Sequence, residues 1–473
     1  MTMQRRDFLK GLATGASLAA GGLPRLAQAA PMVTSLNAGA VEQILTPGGG
    51  VSNLWGYNGT VPGPLLRFRK GETVRIPVRN GLPADTTVHW HGLRVPNAMD
   101  GVPYVTQNPI KPGETFQYEF TIPDSGSFWY HPHQSSYEQV PRGLYGPLIV
   151  DEEKPIEIDQ EAIWVLSDAK LEANGRQVED FGRVLDLANE GRLGNVVLIN
   201  GLAAGAERSL KVRSGDRVRL RLINAAASRI FKLAFAGHVV QAIAFDGQAV
   251  TPHPLEEIYI GPGMRIDLII DCMHAPGSSF TIANRDRRSL GDLARIVYTP
   301  EKPRRSKPMK APIALQPNRF PEPDLKKAID HYVVFEGGMR GAPVIGQVDG
   351  KPAKIQDIME KYGLAWTMNF SAQHEHALMH EPLFYLKKGD HVLLRMINET
   401  DFVHPMHLHG HFFRVVAIDG VKTVHQEWRD TVMMGPRQTV DVAFVADNVG
   451  EWMYHCHILD HAAGGMMGTI AVE

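Results

Sequence analysis

Ten of the chain's 20 histidines fall in four short clusters. They are His89-Trp90-His91, His131-Pro132-His133, His404-Pro405-Met406-His407-Leu408-His409, and His455-Cys456-His457 followed by His461 and Met466. Each contains a His-x-His. On a strand, residues i and i+2 share a face, so each pair presents two imidazoles together, and four pairs offer eight to metal. Parity sorts them further. His455 and His457 take one face and Cys456 the other; His407 and His409 take one face and His404, three residues earlier, the other. His404 and Cys456 therefore meet on one side, and His461 joins them from the loop beyond. Two histidines, a thiolate and a nearby methionine are the ligand set of a blue-copper electron-transfer centre. The other eight histidines come equally from the two ends of the chain and predict a second site between them. Zinc also satisfies imidazole donors, but a closed structural zinc site does not account for a lone cysteine with a methionine.

The elements that must carry these clusters are repeated. Segments 70–80, 214–224 and 388–398 each begin with a Gly-acid turn (Gly71-Glu72, Gly215-Asp216, Gly389-Asp390), continue with alternating residues and end in Asn80, Asn224 or Asn398. That is strand chemistry, repeated in separate domains rather than in a solenoid. With 46 glycines and 32 prolines marking turns, the pattern predicts an all-β chain of sandwiches or barrels. Domain 1 is expected over 31–150, domain 2 over 155–300, a proline-rich linker over 301–325 and domain 3 over 326–473. Gly71, His89 and His91 recur 318 positions later as Gly389, His407 and His409. His131 recurs 324 positions later as His455, which sets Pro132 against Cys456. Domain 1 thus keeps the bridging histidines and lacks the cysteine site. In domain 2, Phe231, Ala234 and Ala236 stand where domain 3 has His404, His407 and His409, which makes domain 2 a copper-free spacer.

Composition narrows the function classes. A formal charge of −2 gives no basic surface for nucleic acid, and two cysteines cannot form a disulfide framework. Cys272 reads as a small buried residue. Arg5-Arg6, a mildly apolar run from Gly11 to Leu23 and the small-x-small site Ala27-Gln28-Ala29 form a twin-arginine export signal over 1–29, cleaved near Ala29/Ala30. The run is too short to span a membrane and no other candidate span follows, so the expected location is the periplasm.

The four motifs and the repeat resemble those of the multicopper oxidases, in the three-domain form of bacterial laccases and copper-efflux cuprous oxidases. The resemblance spans the mature chain. It implies three cupredoxin-like Greek-key β-barrel domains and four copper ions. Type 1 copper would take His404, Cys456, His461 and axial Met466. Type 2 would take His89 and His407. The type 3 pair would take His91, His131, His133, His409, His455 and His457. The implied reaction is one-electron oxidation of a reductant at type 1 and four-electron reduction of dioxygen to water at the other three coppers.

By the same resemblance, Asp100 delivers protons near type 2 copper, and Asp430, in Trp428-Arg429-Asp430-Thr431, hydrogen-bonds a type 1 histidine. Many bacterial relatives carry Glu where this chain has Ala462, so proton delivery is expected to run through Asp100 and water. Axial Met466 implies a low-to-middle potential, suited to metal ions and electron-rich phenols. A phenol or aromatic amine is the expected reductant; Cu(I) is the alternative, and 374–380, with His374, His376, Met379 and His380, is its candidate loop. A copper-free scaffold related to cell division is disfavoured by the intact ligand set. A monomer is expected, with the twin-arginine export machinery as a partner.

Overall fold

The computed structural model describes residues 35–473 except 287–290, 311–313, 341–343 and 375–380. The export signal and all but His374 of the 374–380 loop lie outside the described residues. The three repeated segments are strands: Thr73–Asn80, Asp216–Asn224 and His391–Asn398. The first and last show the expected alternation of burial. The middle one is buried on both faces. Its polar face, Arg217, Arg219 and Arg221, is neutralised by Asp271, Asp267, Glu152 and Glu161.

Each of these strands pairs parallel with one earlier strand and antiparallel with one later strand. A parallel neighbour requires a crossover between sheets, and the result is Greek-key order. The terminal asparagines make the crossover turn in one way. Asn80 Nδ2 donates to the carbonyls of Ala84 and Ile110 while its Oδ1 accepts from Leu82 N. Asn224 does the same with Arg229, Ile260 and Ala226, and Asn398 with Phe402, Gly435 and Thr400. An amide with two donors and an acceptor saturates a corner that would otherwise bury unpaired backbone. Beyond the first and third corners the chain enters the histidine strands.

Among the described residues each repeat forms two main sheets: four and four strands in the first, seven and five in the second, seven and five in the third, which adds a two-stranded ribbon, Ile345–Val348 with Lys351–Lys354. Their cores are separate, with Trp90, Tyr118 and Tyr130 in the first, Leu220, Phe231 and Ile266 in the second, and Trp366, Phe444 and Trp452 in the third. A further cluster holding Val41, Trp129, Val165, Ile223 and Leu459 seals the three together. The proline-rich stretch is tied down rather than free. Asn318 exchanges hydrogen bonds with the backbone of Ser125, and Phe320 packs on Phe412 and Trp428. No helix among the described residues is long and apolar enough to cross a membrane.

Candidate metal centres

Two antiparallel strands of the third repeat, His404–Leu408 and Gly450–Cys456, pair Met406 with Cys456, His407 with His455 and Leu408 with Tyr454. Strand parity then divides the side chains. Met406, Leu408, Trp452, Tyr454 and Cys456 enter the hydrophobic core. His407 and His455 turn the opposite way.

On the core side, Cys456 Sγ lies 3.6 Å from His404 Nδ1 and 3.7 Å from His461 Nδ1, and the two nitrogens are 3.0 Å apart. Met466 is buried in the same core. The outer nitrogens are engaged: His404 Nε2 with Thr400 Oγ1 at 2.8 Å and His461 Nε2 with the Asn189 carbonyl at 2.5 Å. These partners fix both tautomers, leaving Nδ1 as the free lone pair on each ring. Burial pushes His461 down to about 3 and pushes the Cys456 thiol well up. Neutral imidazoles ligate as they stand; the thiol ionises here only with a cation beside it.

On the other side the eight histidines converge, all of them buried. Their arrangement has a pseudo-two-fold. His89 stacks on His409 at 3.9 Å and His91 on His407 at 3.9 Å. His131 faces His457 at 5.4 Å and His133 faces His455 at 5.0 Å. In both sets, each histidine of one repeat meets the partner of its own counterpart, as in an isologous interface. The outer hydrogen bonds follow the same symmetry. His89 Nδ1 donates to the Asp100 carbonyl at 2.8 Å and His407 Nδ1 to the Asp430 carbonyl at 2.9 Å. His131 Nδ1 donates to Pro132 O at 3.0 Å and His455 Nδ1 to Cys456 O at 2.9 Å.

The inward nitrogens decide whether metal fits. His89 Nε2, His91 Nδ1, His131 Nε2, His133 Nε2, His407 Nε2 and both nitrogens of His457 are buried with no hydrogen-bond partner among the described residues. His409 Nε2 and His455 Nε2 aim at each other, 3.2 Å apart. Orphaned buried polar atoms are rare and costly, and so many converging lone pairs make a cradle for cations. Burial, reinforced by neighbouring imidazoles, holds His91, His131, His133, His409 and His457 well below the ordinary histidine range, in the ligating form. A narrow cavity of about 10 Å³ opens onto His89 and His407.

The acids are divided differently from expectation. Asp100 Oδ2 accepts from His409 Nδ1 at 2.7 Å, and its Oδ1 lies 3.3 Å from His89 Nδ1. Asp430 does not touch either histidine at Cys456. It sits under the cluster instead, its Oδ1 3.4 Å from His91 Nε2 and 3.5 Å from His407 Nδ1. The strand Thr431–Met434 pairs with His404–Leu408, placing Thr431 opposite His407, so Asp430 falls at the His407 end and not at His404. Sequence reasoning also missed Trp129, stacked on His131 at 4.2 Å, Trp366, 4.5 Å from His461, and Arg265 on Asp430. None belongs to a histidine cluster or to the recurring segments 70–80, 214–224 and 388–398.

Family models described as multicopper oxidase match residues 40–155, 169–299 and 347–473. The chain is 30% identical to multicopper oxidase MmcO of Mycobacterium tuberculosis, over 98% of this chain and 95% of that protein. The chain belongs to the multicopper oxidases. This multicopper oxidase is also 26% identical to copper resistance protein A of Pseudomonas syringae pv. tomato, over 99% of both chains. The structure of a multi-copper oxidase from Pseudomonas thermotolerans superposes with a TM-score of 0.81 and 35% identity, covering 93% of this chain and 98% of that one. The fold is accordingly all-β with cupredoxin-like barrels, and the multicopper oxidase is an oxidoreductase that uses copper and takes oxygen as acceptor.

Proposed function

We propose that the chain is a laccase-like oxidase with four coppers. Type 1 would be held by His404, Cys456, His461 and Met466, type 2 by His89 and His407, and the type 3 pair by His91, His131, His133, His409, His455 and His457. The observation that carries this reading is covalent. Cys456 belongs to one centre while its chain neighbours His455 and His457 belong to the other, so the two are joined through a few backbone bonds. Copper would supply one-electron exchange with the reductant at Cys456 and four-electron reduction of dioxygen to two waters at the histidine cluster. The protein's part is to keep both centres dry, to fix each imidazole through its outer nitrogen and to hold an acid, Asp100, beside His409.

The reductant side favours a phenol or aromatic amine. A pocket of about 540 Å³ is lined by His461, Ile458, Phe402, Met433, Glu190 and Arg340. An apolar floor with a charged rim suits a substituted aromatic ring. The resemblance to copper resistance protein A supports Cu(I) as the second candidate. Oxygen uptake by copper-loaded protein, with a methoxyphenol and with Cu(I) in parallel, separates them. Faster Cys456-dependent uptake with the phenol is the expected result; faster uptake with Cu(I) overturns the laccase assignment. No difference from Cys456→Ser overturns both.

We read the architecture as a signal over 1–29, cupredoxin units over 31–150, 155–300 and 326–473, and a linker over 301–325, in a periplasmic monomer exported by the twin-arginine route. Amino-terminal sequencing of the exported protein is expected to begin near Ala30.

A further inference from the structure

Asp100 and Asp430 occupy corresponding places across the pseudo-two-fold. Each gives its carbonyl to the first histidine of its own repeat and turns its carboxylate to the second histidine of the other. Their surroundings then part. Asp100 Oδ1 has no hydrogen-bond partner among the described residues. Asp430 is gripped by Arg265, whose Nη1 and Nη2 reach its two oxygens at 2.8 and 2.6 Å. The histidines they face part as well. His409 meets Asp100 through Nδ1 and turns Nε2 inward, whereas His91 meets Asp430 through Nε2 and leaves Nδ1 free.

We infer that Arg265 is a positioning residue of the oxygen-reducing site: by clamping the Asp430 carboxylate it orients His91 and His407, although it comes from the repeat that binds no copper. The inference rests on the copper assignment proposed above. Arg265 is fully buried and every one of its five N–H groups has an acceptor. Besides Asp430 these are the carbonyls of Ser127 at 3.1 Å, Gly263 at 3.1 Å and Asp246 at 3.0 Å. Ser127 belongs to the first repeat, Gly263 and Asp246 to the second and Asp430 to the third, so one guanidinium joins all three around the cluster. The approach is built for it. Gly92, directly after His91, has φ +87°, and a Cβ there would lie 2.2 Å from Arg265 Nη2 and 2.8 Å from Asp430 Oδ2. A planar fork holds both carboxylate oxygens, which an ammonium cannot do.

The test uses copper-loaded protein and three variants: Arg265→Met, Arg265→Lys, and the pair Arg265→Gln with Asp430→Asn, which leaves no lone charge between those two positions. Arg265→Met is expected to keep the visible band of the Cys456 centre and the KM for a methoxyphenol. It should shift the electron paramagnetic resonance signal of the copper held by His89 and His407 and lower kcat about 10–100-fold, the scale for losing an outer partner of a ligating histidine. Arg265→Lys should fall between Arg265→Met and wild type. The paired variant, in which two neutral amides replace the ion pair, should show the shifted signal. Wild-type resonance and kcat in either Arg265→Met or the paired variant overturn the inference. So does a Cys456 band that fades in step with the cluster signal, because that is general loss of structure. Wild-type protein showing neither copper signal refutes the underlying assignment, and the inference with it.

Discussion

Cys456 and Asp100 show how much is asked of single side chains. Asp100 is fully buried and spends its carbonyl on His89 and its Oδ2 on His409. Asp100→Asn keeps the shape but can turn a donor toward an imidazole N–H. We expect oxygen consumption to fall about 10–100-fold with the visible band and donor KM unchanged, measured by oxygen electrode and absorption. Loss of the visible band would place Asp100 in the other centre. Ala462 is the complementary case. It packs with Val102, Met453 and Met467 and is 3% exposed, so the wall around it is apolar. Ala462→Glu buries a carboxylate among these side chains, and a melting-temperature loss of several degrees is expected, equivalent to about 2–4 kcal/mol. Its oxygen-reduction rate and pH dependence should also change; unchanged values of both would speak against proton delivery through Asp100 and water.

Between residue and fold stands the segment 184–192, a short helix, Val184–Leu187, and the turn after it. It leaves the second repeat and covers the Cys456 centre. The Leu187 carbonyl accepts from Trp366 Nε1 at 2.6 Å, the Asn189 carbonyl takes His461 Nε2, and Arg192 N donates to Asp460 Oδ2 at 2.9 Å. Gly191 makes the close approach possible: φ is +77°, and a Cβ would stand 2.2 Å from Ser228 Oγ and 2.8 Å from Ile458 Cγ2. Gly191→Ala should therefore lift the segment, cost about 1–3 kcal/mol and shift the potential of copper bound at the Cys456 centre, read by redox titration of the visible band. An unshifted potential would show that the Asn189 contact does not tune His461. Nothing in the local sequence announces this cover. The His-x-His pairs were legible because a pleat has a period of two, and the sheets because Gly-acid turns and terminal asparagines recur. The destination of Asp430, the reach of Arg265 and the lid over His461 depend on which repeat packs on which, and contacts between repeats leave no period to read.

Across the whole molecule, the first and second repeats are joined by buried ions. Asp267 accepts from Ser127 Oγ at 2.6 Å and pairs with Arg219 at 2.6 Å and Arg221 at 2.9 Å. Burial alone would raise its pKa, but Arg221 and Arg219 overcome that and hold it below the usual carboxylate value. A depressed folded pKa means stabilisation that is full above about pH 3.9, the unfolded value, and lost as the pH falls through the lower folded one. Asp267→Asn leaves two buried guanidinium groups short of a counter-ion, so a loss of about 3–5 kcal/mol at neutral pH and a flatter acid limb are expected in thermal melts run across pH. An acid limb as steep as wild type would assign it to other carboxylates. The histidine cluster adds a consequence of order in time. Its donors stop at His133 and resume only at His407, with the last near the carboxyl end. A chain part-way through synthesis owns half a cradle, and half a cradle grips metal weakly. Metal held in the histidine cluster of the finished protein would thus be a proofreading mark, carried only by molecules whose last barrel has closed against their first.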